Sequence, residues 1–218
     1  MRMNNSKKKY LLHGGLTRYN SHEKKLFQLD TEGLFSITSA KISEELIRII
    51  SQLFRDNEDI IITDATASVG GNTIPFILSN RFSHVNGIEI NKERFDMLND
   101  NILIKKKYIN GTYQLYNCSY LDIKYNLCQD LIFMDPPWGG PEYYKQNKIK
   151  LFLDNINIGE ITKNLFKHLD KLKYIIIKTP KNFDVVNFNS YLSQNIILEK
   201  LEFVKDLKKI DFFLIKRI

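Results

Sequence analysis

The sequence predicts an α/β fold in which helices pack on both faces of a mostly parallel sheet. Two observations support this prediction. Strand-like and helix-like patterns alternate from residue 39 onward, and two apolar segments at the C-terminus have the spacing of an antiparallel hairpin. The chain has 218 residues, of which 43% are apolar, so one domain can bury a sizeable core. We expect a seven-stranded sheet that ends in this hairpin.

The first half of the domain begins with an amphipathic helix over residues 40–55. Apolar residues recur there at helical spacing, and Ser39 precedes them as an N-cap. An apolar burst at 60–64 ends at Asp64 and predicts a buried strand. The pattern then predicts a short helix over 73–79, a strand over 85–90, a helix over 94–105 that Asn91 caps, and a strand over 112–116.

The second half continues the alternation. Strands are predicted over 130–134 and 174–178, with a helix over 160–169 between them. The closing hairpin is predicted over 196–204 and 210–218, which are separated by lysine-rich turn residues. Residues 1–35 are polar and are predicted to be irregular, and residues 1–38 are predicted to form an N-terminal extension of the main domain, 39–218.

Composition excludes several classes of protein. The 12% of aromatic residues argues against disorder, and two cysteines cannot form a disulfide scaffold. No apolar run approaches the ~18 residues of a membrane span, and the first ten residues are too polar for a signal peptide, so we expect an intracellular protein.

The net charge of +7 does not decide the partner, because the basic residues are mostly scattered lysines. Two lysine triplets stand out. The triplet at 7–9 is typical of a solvated tail, with RNA contact as the alternative, and the triplet at 105–107 is typical of a helix end.

A glycine-containing segment, DATASVGGNT from Asp64 to Thr73, joins the first strand to the following helix. Glycines at the carboxyl end of a strand let the backbone approach a ligand closely. The segment has neither the G-x-G-x-x-G spacing of dinucleotide-binding enzymes nor a Walker loop. It is a candidate cofactor turn, with an ordinary strand-to-helix turn as the alternative.

Glu89 ends the next strand, about 20 residues beyond the glycine turn. An acid there can accept hydrogen bonds from both ribose hydroxyls of an adenosine cofactor. A solvated loop residue is the alternative, and the spacing favours the ribose role.

The segment LIFMDPPWGGP, residues 131–141, begins as a buried strand and ends in an acid, two prolines and an aromatic residue. The exocyclic amine of a nucleobase is a poor nucleophile because its lone pair is delocalised into the ring. Asp135 and the carbonyl of Pro136 can accept its two N–H bonds, while Trp138 stacks on the base. A rigid surface turn is the alternative; the position of the chain's single tryptophan argues against it.

These motifs resemble a known family. The Asp-Pro-Pro-aromatic pattern is typical of amino-group methyltransferases, and a terminal antiparallel hairpin is typical of the class I methyltransferase variant of the Rossmann-like fold. The run DPPWGGP, followed by Tyr143 and Tyr144, resembles the trimethylguanosine synthase family, which methylates N2 of the RNA cap guanine. The segments 64–73, 29–38 (LDTEGLFSIT) and 180–182 (PKN) are similar to other motifs of that family.

The resemblance implies a function and a set of site residues. It implies S-adenosylmethionine as methyl donor, the 7-methylguanosine cap of RNA as acceptor, and a segment at 30–38 that helps to close the site. The catalytic residues it implies are Asp135, Pro136 and Trp138; the cofactor-binding residues are Asp64, Gly70, Gly71, Asn72, Thr73, Glu89, Ser119 and Asp135; and the substrate-binding residues are Trp138, Gly139, Tyr143, Lys181, Asn182, Phe35 and Ser36.

Further expectations concern metals, assembly and location. Cys118, Cys128 and the four histidines have no metal-ligand spacing, so no metal is expected. We also expect a monomer in the nucleus, the cytoplasm or a viral replication compartment.

The chain departs from the family pattern at several positions. Ser68 replaces a glycine, Thr66 an aromatic residue, Leu34 a tryptophan, Lys181 an arginine, Ser119 an acid that contacts the adenine amine, and Asp135 the serine of several members. Two alternatives therefore stand beside cap methylation. One is methylation of an internal guanine or adenine in RNA or DNA, and the other is a non-catalytic cap- or RNA-binding subunit.

Overall fold

The computed structural model describes residues 20–56, 58–140, 142–204 and 207–218. The lysine triplet at 7–9 lies outside the described residues, as does Pro141 of the DPPWGGP run. The chain divides into two compact units, Met1–Cys118 and Ser119–Ile218.

The first unit contains three parallel strands and five helices in its described part. β2 lies between β1 and β3, with Ile62 opposite Val85 and Asn86 opposite Gln114. A short 3-10 helix, Lys106–Tyr108, precedes β3. In chain order the elements are α1 (Ser21–Leu26), α2 (Thr31–Ser36), α3 (Ala40–Gln52), β1 (Ile61–Asp64), α4 (Thr73–Leu78), β2 (His84–Ile88), α5 (Lys92–Leu103) and β3 (Thr112–Tyr116).

The expectation of an irregular N-terminal segment is wrong for residues 20–36, which contain α1 and α2. Asn20 and Glu23 form a reciprocal capping box at the start of α1. The Asp30 side chain caps α2 by accepting from the Gly33 N–H. Each helix has six residues, too few for a 3.6-residue apolar period to show in the sequence.

Lys105 follows the end of α5, as predicted for the lysine triplet, and its side chain is buried. Its Nζ lies 2.7 Å from Oε2 of Glu23, and the two side chains are only 4% and 9% exposed. Lys105 thus anchors α1 to the segment that follows α5.

The second unit contains the remaining strands. β4 pairs with β7 in parallel, and β9 lies antiparallel between β7 and β8. A two-stranded hairpin, β5 and β6, stands apart from this sheet. The elements are α6 (Tyr120–Ile123), β4 (Leu131–Met134), β5 (Phe152–Leu153), β6 (Ile156–Asn157), α7 (Ile158–His168), β7 (Tyr174–Pro180), α8 (Val185–Asn189), β8 (Ile196–Lys200) and β9 (Ile210–Arg217), with a 3-10 helix at Tyr143–Lys145.

The predicted fold class is confirmed, because the described chain has a mostly parallel sheet of seven strands with a C-terminal antiparallel hairpin. Every predicted helix and strand is present, with ends shifted by a few residues. Every residue of β4 is buried, and β7 is buried from Ile175 onward, as expected for strands covered on both faces. No helix in the described ranges is long and apolar enough to cross a membrane.

Candidate functional site

The segment after β1 is organised by Asp64, which is buried. Its Oδ2 accepts a 2.6 Å hydrogen bond from the Thr73 hydroxyl, and its Oδ1 accepts one from the Thr66 N–H at 3.2 Å. Asp64 therefore joins the end of β1 to the first residue of α4. These two hydrogen bonds hold the two ends of the glycine turn together.

Gly70 and Gly71 permit close packing of the chain on itself. Gly70 has a φ of +99°, and a Cβ there would lie 2.6 Å from Cδ1 of Ile74. A Cβ on Gly71 would lie 2.7 Å from Cγ1 of Ile37 and 3.2 Å from the Thr38 nitrogen. The turn requires both glycines for its own packing, and their contact with a cofactor stays a prediction.

Glu89 connects this turn to the end of β2. Its Oε2 accepts from the Ser68 N–H at 2.8 Å, and its Oε1 accepts from the Asn91 N–H at 2.7 Å. Ser68 has a φ of +48°, so a residue with a side chain occupies the left-handed region in the middle of the turn. Glu89 is 6% exposed, which contradicts the alternative of a solvated loop residue.

The segment from Gln28 to Thr38 packs against the same turn. The Asn101 amide donates to the carbonyl oxygens of Gln28 and Val69, both at 2.9 Å. The Asn72 amide donates to the Thr38 hydroxyl at 3.1 Å. Asn101 lies in α5 and was missed by the sequence analysis, because an asparagine inside a helix carries no recognisable signal.

Phe35 and Ser36, the predicted substrate contacts of this segment, lie in α2. The side chain of Phe35 lies outside the described part of the structure. Ser36 is exposed at the last position of the helix. Their contacts with a substrate stay a prediction.

Asp135 directly follows β4 in the second unit, and Lys178 of β7 reaches it. Lys178 Nζ donates to Oδ2 of Asp135 at 2.6 Å, and the two side chains are 5% and 16% exposed. Burial raises the pKa of the Asp135 carboxyl above its usual range, while the charge and hydrogen bond of Lys178 lower it in part. Lys178 was missed by the sequence analysis, which treated it as the last residue of an apolar strand.

Trp138 packs between an aromatic ring and an ammonium group. Its ring centroid lies 5.1 Å from that of Tyr143 in an edge-on arrangement, and 5.4 Å from Lys178 Nζ. The indole Nε1 is buried and has no hydrogen-bond partner among the described residues. Gly139 and Gly140, with φ of +85° and +87°, turn the chain away directly after the indole. The structure thus brings Asp135 and Trp138 together at Lys178, with Tyr143 against the indole of Trp138.

Asn182 positions the loop that carries Tyr143. Its side-chain amide donates to the carbonyl oxygens of Tyr143 and Gln146 at 3.0 and 2.7 Å, and its own carbonyl oxygen accepts from the Ile149 N–H. These bonds give Asn182 a structural role, and its predicted contact with the substrate stays a prediction.

Lys181, the neighbouring residue, lies at the end of β7. Its Nζ lies 2.8 Å from Oδ1 of Asp211, and Lys200 Nζ lies 2.9 Å from the same oxygen. Two ammonium groups therefore share one carboxylate oxygen.

Ser119 hydrogen-bonds to Oδ2 of Asp154, the first residue of the turn between β5 and β6. Asp154 and Asn155 have φ of +47° and +63°, the pattern of a two-residue hairpin turn. The contact places a carboxylate beside the serine that stands where the family carries an acid. Asp154 was missed because strands of two residues show no alternation.

The described residues contain no group of three His, Cys, Asp or Glu side chains that could hold a metal ion. The candidate site residues described above carry carboxylates, aromatic rings and ammonium groups. In each unit these groups follow the carboxyl ends of parallel strands, where open α/β sheets bind ligands.

A mostly parallel seven-stranded sheet with an antiparallel hairpin, an acid after β2 and Asp-Pro-Pro-Trp after β4 define a class I methyltransferase fold. A family model described as RNA cap guanine-N2 methyltransferase matches residues 59–209. The chain belongs to this family.

Individual relatives match parts of the chain. An uncharacterised protein of Acanthamoeba polyphaga mimivirus is 34% identical over 152 residues, covering 66% of this chain and 57% of the relative. The trimethylguanosine synthase of Schizosaccharomyces pombe is 28% identical over 175 residues, covering 75% and 66%. The matched region thus spans about three fifths to two thirds of these relatives.

Solved structures show the fold alone. A Porphyromonas gingivalis W83 protein assigned as a methyltransferase has a TM-score of 0.66 at 15% identity, covering 98% of this chain and 48% of that chain. The TrmK protein of M. capricolum, solved with S-adenosyl-homocysteine, has a TM-score of 0.51 at 13% identity, covering 79% and 67%.

Proposed function

We propose that the protein transfers a methyl group from S-adenosylmethionine to the exocyclic N2 of the 7-methylguanosine cap of RNA. The observation that carries this proposal is the cluster of Asp135, Trp138 and Tyr143 after β4. A buried carboxyl and a packed indole on a rigid Pro-Pro turn are what recognition of a planar base with a reactive amine requires. The family membership supports the same reaction.

The residues of the first unit fit the cofactor. Glu89 is buried and fixed by two backbone N–H groups, and a carboxylate has about four acceptor positions, so it suits a ribose diol. Asp64 and the glycine turn would hold the methionine part, with Asn72 and Thr73 supporting the turn. When bound, S-adenosylmethionine supplies an electrophilic methyl group on a sulfonium.

In the second unit, Ser119 and Asp154 would receive the adenine amine. The carboxylate of Asp154 can accept an N–H bond, and the Ser119 hydroxyl orients it. This pair would take the place of the single acid that the family pattern has there.

The protein's own contribution to methyl transfer is positioning. Asp135 and the Pro136 carbonyl accept the two N–H bonds of the amine, which favours a pyramidal nitrogen whose lone pair is available. Trp138 stacks on the base, and the positive charge of 7-methylguanine adds a cation–π attraction of roughly 2 kcal/mol when desolvated. As the nitrogen–methyl bond would form, the carbon–sulfur bond would break, S-adenosyl-homocysteine would leave as the neutral thioether, and the nitrogen would release one proton to solvent.

The cap phosphates would bind near Lys181 and Asn182. The ammonium groups of Lys181 and Lys200, which lie together beside Asp211, support this placement. Capped RNA is the proposed partner, and the protein acts as a monomer in RNA processing in the nucleus, the cytoplasm or a viral replication compartment.

The direct test is mass spectrometry of the purified protein incubated with S-adenosylmethionine and each of three acceptors. These are 7-methyl-GTP, a GpppG dinucleotide without the 7-methyl group, and an uncapped RNA. The proposal predicts one or two added methyl groups on 7-methyl-GTP and little or none on the other two. Methylation of uncapped RNA without methylation of 7-methyl-GTP would instead establish the internal-base alternative.

Calorimetry separates the non-catalytic alternative from an inactive preparation. We expect S-adenosyl-homocysteine to bind the wild-type protein, and Glu89→Gln to weaken that binding. A protein that binds 7-methyl-GTP but not S-adenosyl-homocysteine is a cap-binding subunit rather than a methyltransferase.

A further inference from the structure

Lys178 is a charged residue in an apolar strand. The preceding residues of β7, Ile175, Ile176 and Ile177, are completely buried, and the Lys178 side chain is 5% exposed. A buried ammonium is unfavourable unless an opposite charge and hydrogen bonds compensate it. The sheet does not need a lysine at this position, so its place beside Asp135 calls for a functional explanation.

The ammonium contacts both groups that the proposed reaction requires. Lys178 Nζ lies 2.6 Å from Oδ2 of Asp135 and 5.4 Å from the ring centroid of Trp138. One charged group therefore fixes the carboxyl directly and the indole through a cation–π contact. Both lie on the Asp-Pro-Pro-Trp turn, which can rotate only if both contacts break.

The protonation state of Asp135 decides whether its carboxyl can accept an N–H bond from the amine. An ionised carboxyl accepts N–H bonds, whereas a protonated one presents an O–H donor to the amine. Burial alone favours the protonated form, and an ammonium within hydrogen-bond distance favours the ionised form.

The described elements next to Lys178 in the second unit place the following groups around it. β4 contributes the apolar residues Leu131–Met134, and β9 places Phe212 opposite Lys178. Asp211 of β9 lies opposite Thr179, on the other face of the sheet, and pairs with Lys181 and Lys200. Tyr143 faces the indole of Trp138.

We propose that Lys178 is the positioning residue of the methyl-acceptor site, holding Asp135 ionised and oriented to accept the N–H bond of the nucleobase amine. This inference rests on the proposed function for the identity of the amine. The placement of Lys178 itself is independent of the substrate. Lys178 acts through Asp135 and does not touch the base.

The test measures the titration of Asp135 directly. The protein is labelled with 13C at the aspartate carboxyl carbons, and the Asp135 resonance is assigned by its absence from Asp135→Asn. We expect Lys178→Met to raise the titration midpoint of Asp135 by about 1–3 pH units, because a cation at hydrogen-bond distance is removed. In Lys178→Arg, which keeps the positive charge beside the carboxyl, the titration midpoint of Asp135 should stay within about half a pH unit of the wild-type value.

A matched control is Lys216→Met. Lys216 lies on β9 of the same sheet and pairs with Glu199 of β8. The substitution should leave the Asp135 midpoint unchanged. A midpoint in Lys178→Met equal to that of wild type overturns the proposal. If Lys178→Met does not fold, Lys178→Gln, which keeps a hydrogen-bond donor but removes the charge, replaces it; a raised Asp135 midpoint in Lys178→Gln supports the proposal, and an unchanged one overturns it.

Measuring methylation of 7-methyl-GTP as a function of pH distinguishes a failure of this inference from a failure of the proposed function. If 7-methyl-GTP is a substrate, the acid limb of the kcat–pH profile should move upward with the Asp135 midpoint in Lys178→Met. An Asp135 shift without any methylation of 7-methyl-GTP supports the role of Lys178 and contradicts the proposed substrate. Methylation with an unshifted acid limb supports the substrate and overturns the role of Lys178.

Discussion

Glu23 of α1 and Lys105, which follows α5, form an ion pair that is almost completely buried within the first unit. Burial raises the pKa of the Glu23 carboxyl, but the bonds from Lys105 and the Asn20 N–H, with the charges of Lys105 and Lys107, bring it below the ordinary value of 4.5. A carboxyl whose pKa is lowered by folding contributes stability above its unfolded value, and this is lost as the pH falls through its folded value.

We predict that Lys105→Met lowers the free energy of unfolding by about 3–5 kcal/mol at pH 7, because it leaves a buried carboxylate without its cation. Glu23→Gln should make the fall of stability below pH 4.5 shallower. Urea unfolding between pH 3 and pH 7 measures both effects. The exposed pair of Lys92 and Asp96 is the control: Lys92→Ala should cost only about 0.5 kcal/mol. An equal decrease in the free energy of unfolding in Lys105→Met and in Lys92→Ala would contradict the prediction.

A second prediction concerns Ser68, whose φ of +48° is unfavourable for a residue with a Cβ. Ser68→Gly should raise the free energy of unfolding by about 0.5–1 kcal/mol, because glycine adopts this backbone region without strain and the Ser68 N–H bond to Glu89 is kept. Thermal unfolding is the measurement. Asn80→Gly, at a φ of +54°, should change stability less, since asparagine tolerates this region. A destabilised Ser68→Gly would show that its side chain has a role of its own.

The sequence predicted the parallel strands well because their apolar runs are uninterrupted. The strand at Thr112–Tyr116 has its expected bounds, and Asn91 caps the helix that follows β2 as expected. The two helices of the N-terminal segment were missed because each spans fewer than two turns. Their stability comes from caps and from packing against distant residues such as Asn101, and local patterns do not record such contacts.

The site was predictable where a short motif carries the chemistry and hidden where a distant residue completes it. Asp135 and Trp138 were found because Asp-Pro-Pro-Trp is contiguous. Lys178 and Asp154 were missed because they meet their partners only in the folded chain, 43 and 35 residues away in sequence. Glu89 was found because its distance from the glycine turn follows from the strand–helix–strand unit.

The third prediction tests the loop that Asn182 holds. Asn182→Ala removes two hydrogen bonds to the carbonyl oxygens of Tyr143 and Gln146. Because Tyr143 packs edge-on against Trp138, we expect KM for 7-methyl-GTP to rise about 3–10-fold, with a smaller change in kcat. Steady-state kinetics measure this split.

Asn189→Ala is the control for Asn182→Ala, since Asn189 is exposed at the end of α8. It should leave both kinetic constants within about twofold of wild type, as surface substitutions usually have small effects. A KM for Asn182→Ala that equals the control value would show that the loop does not need the two Asn182 hydrogen bonds for substrate binding.

The last prediction separates the roles of Trp138 and Asp135. Trp138→Ala should abolish detectable methylation of 7-methyl-GTP while S-adenosyl-homocysteine binding persists, because the indole is proposed to hold the base. Asp135→Asn should lower kcat by about 10²-fold or more with little change in cofactor affinity, because an uncharged amide is a weaker acceptor for the reacting amine. Asn is preferable to Ala here, because its amide oxygen can still accept a hydrogen bond from the buried ammonium of Lys178, whereas Ala offers no acceptor at this position. Single-turnover kinetics and calorimetry measure the two quantities. An equal loss of cofactor binding in Asp135→Asn would make Asp135 a structural residue, and wild-type turnover in Trp138→Ala would exclude stacking on its indole.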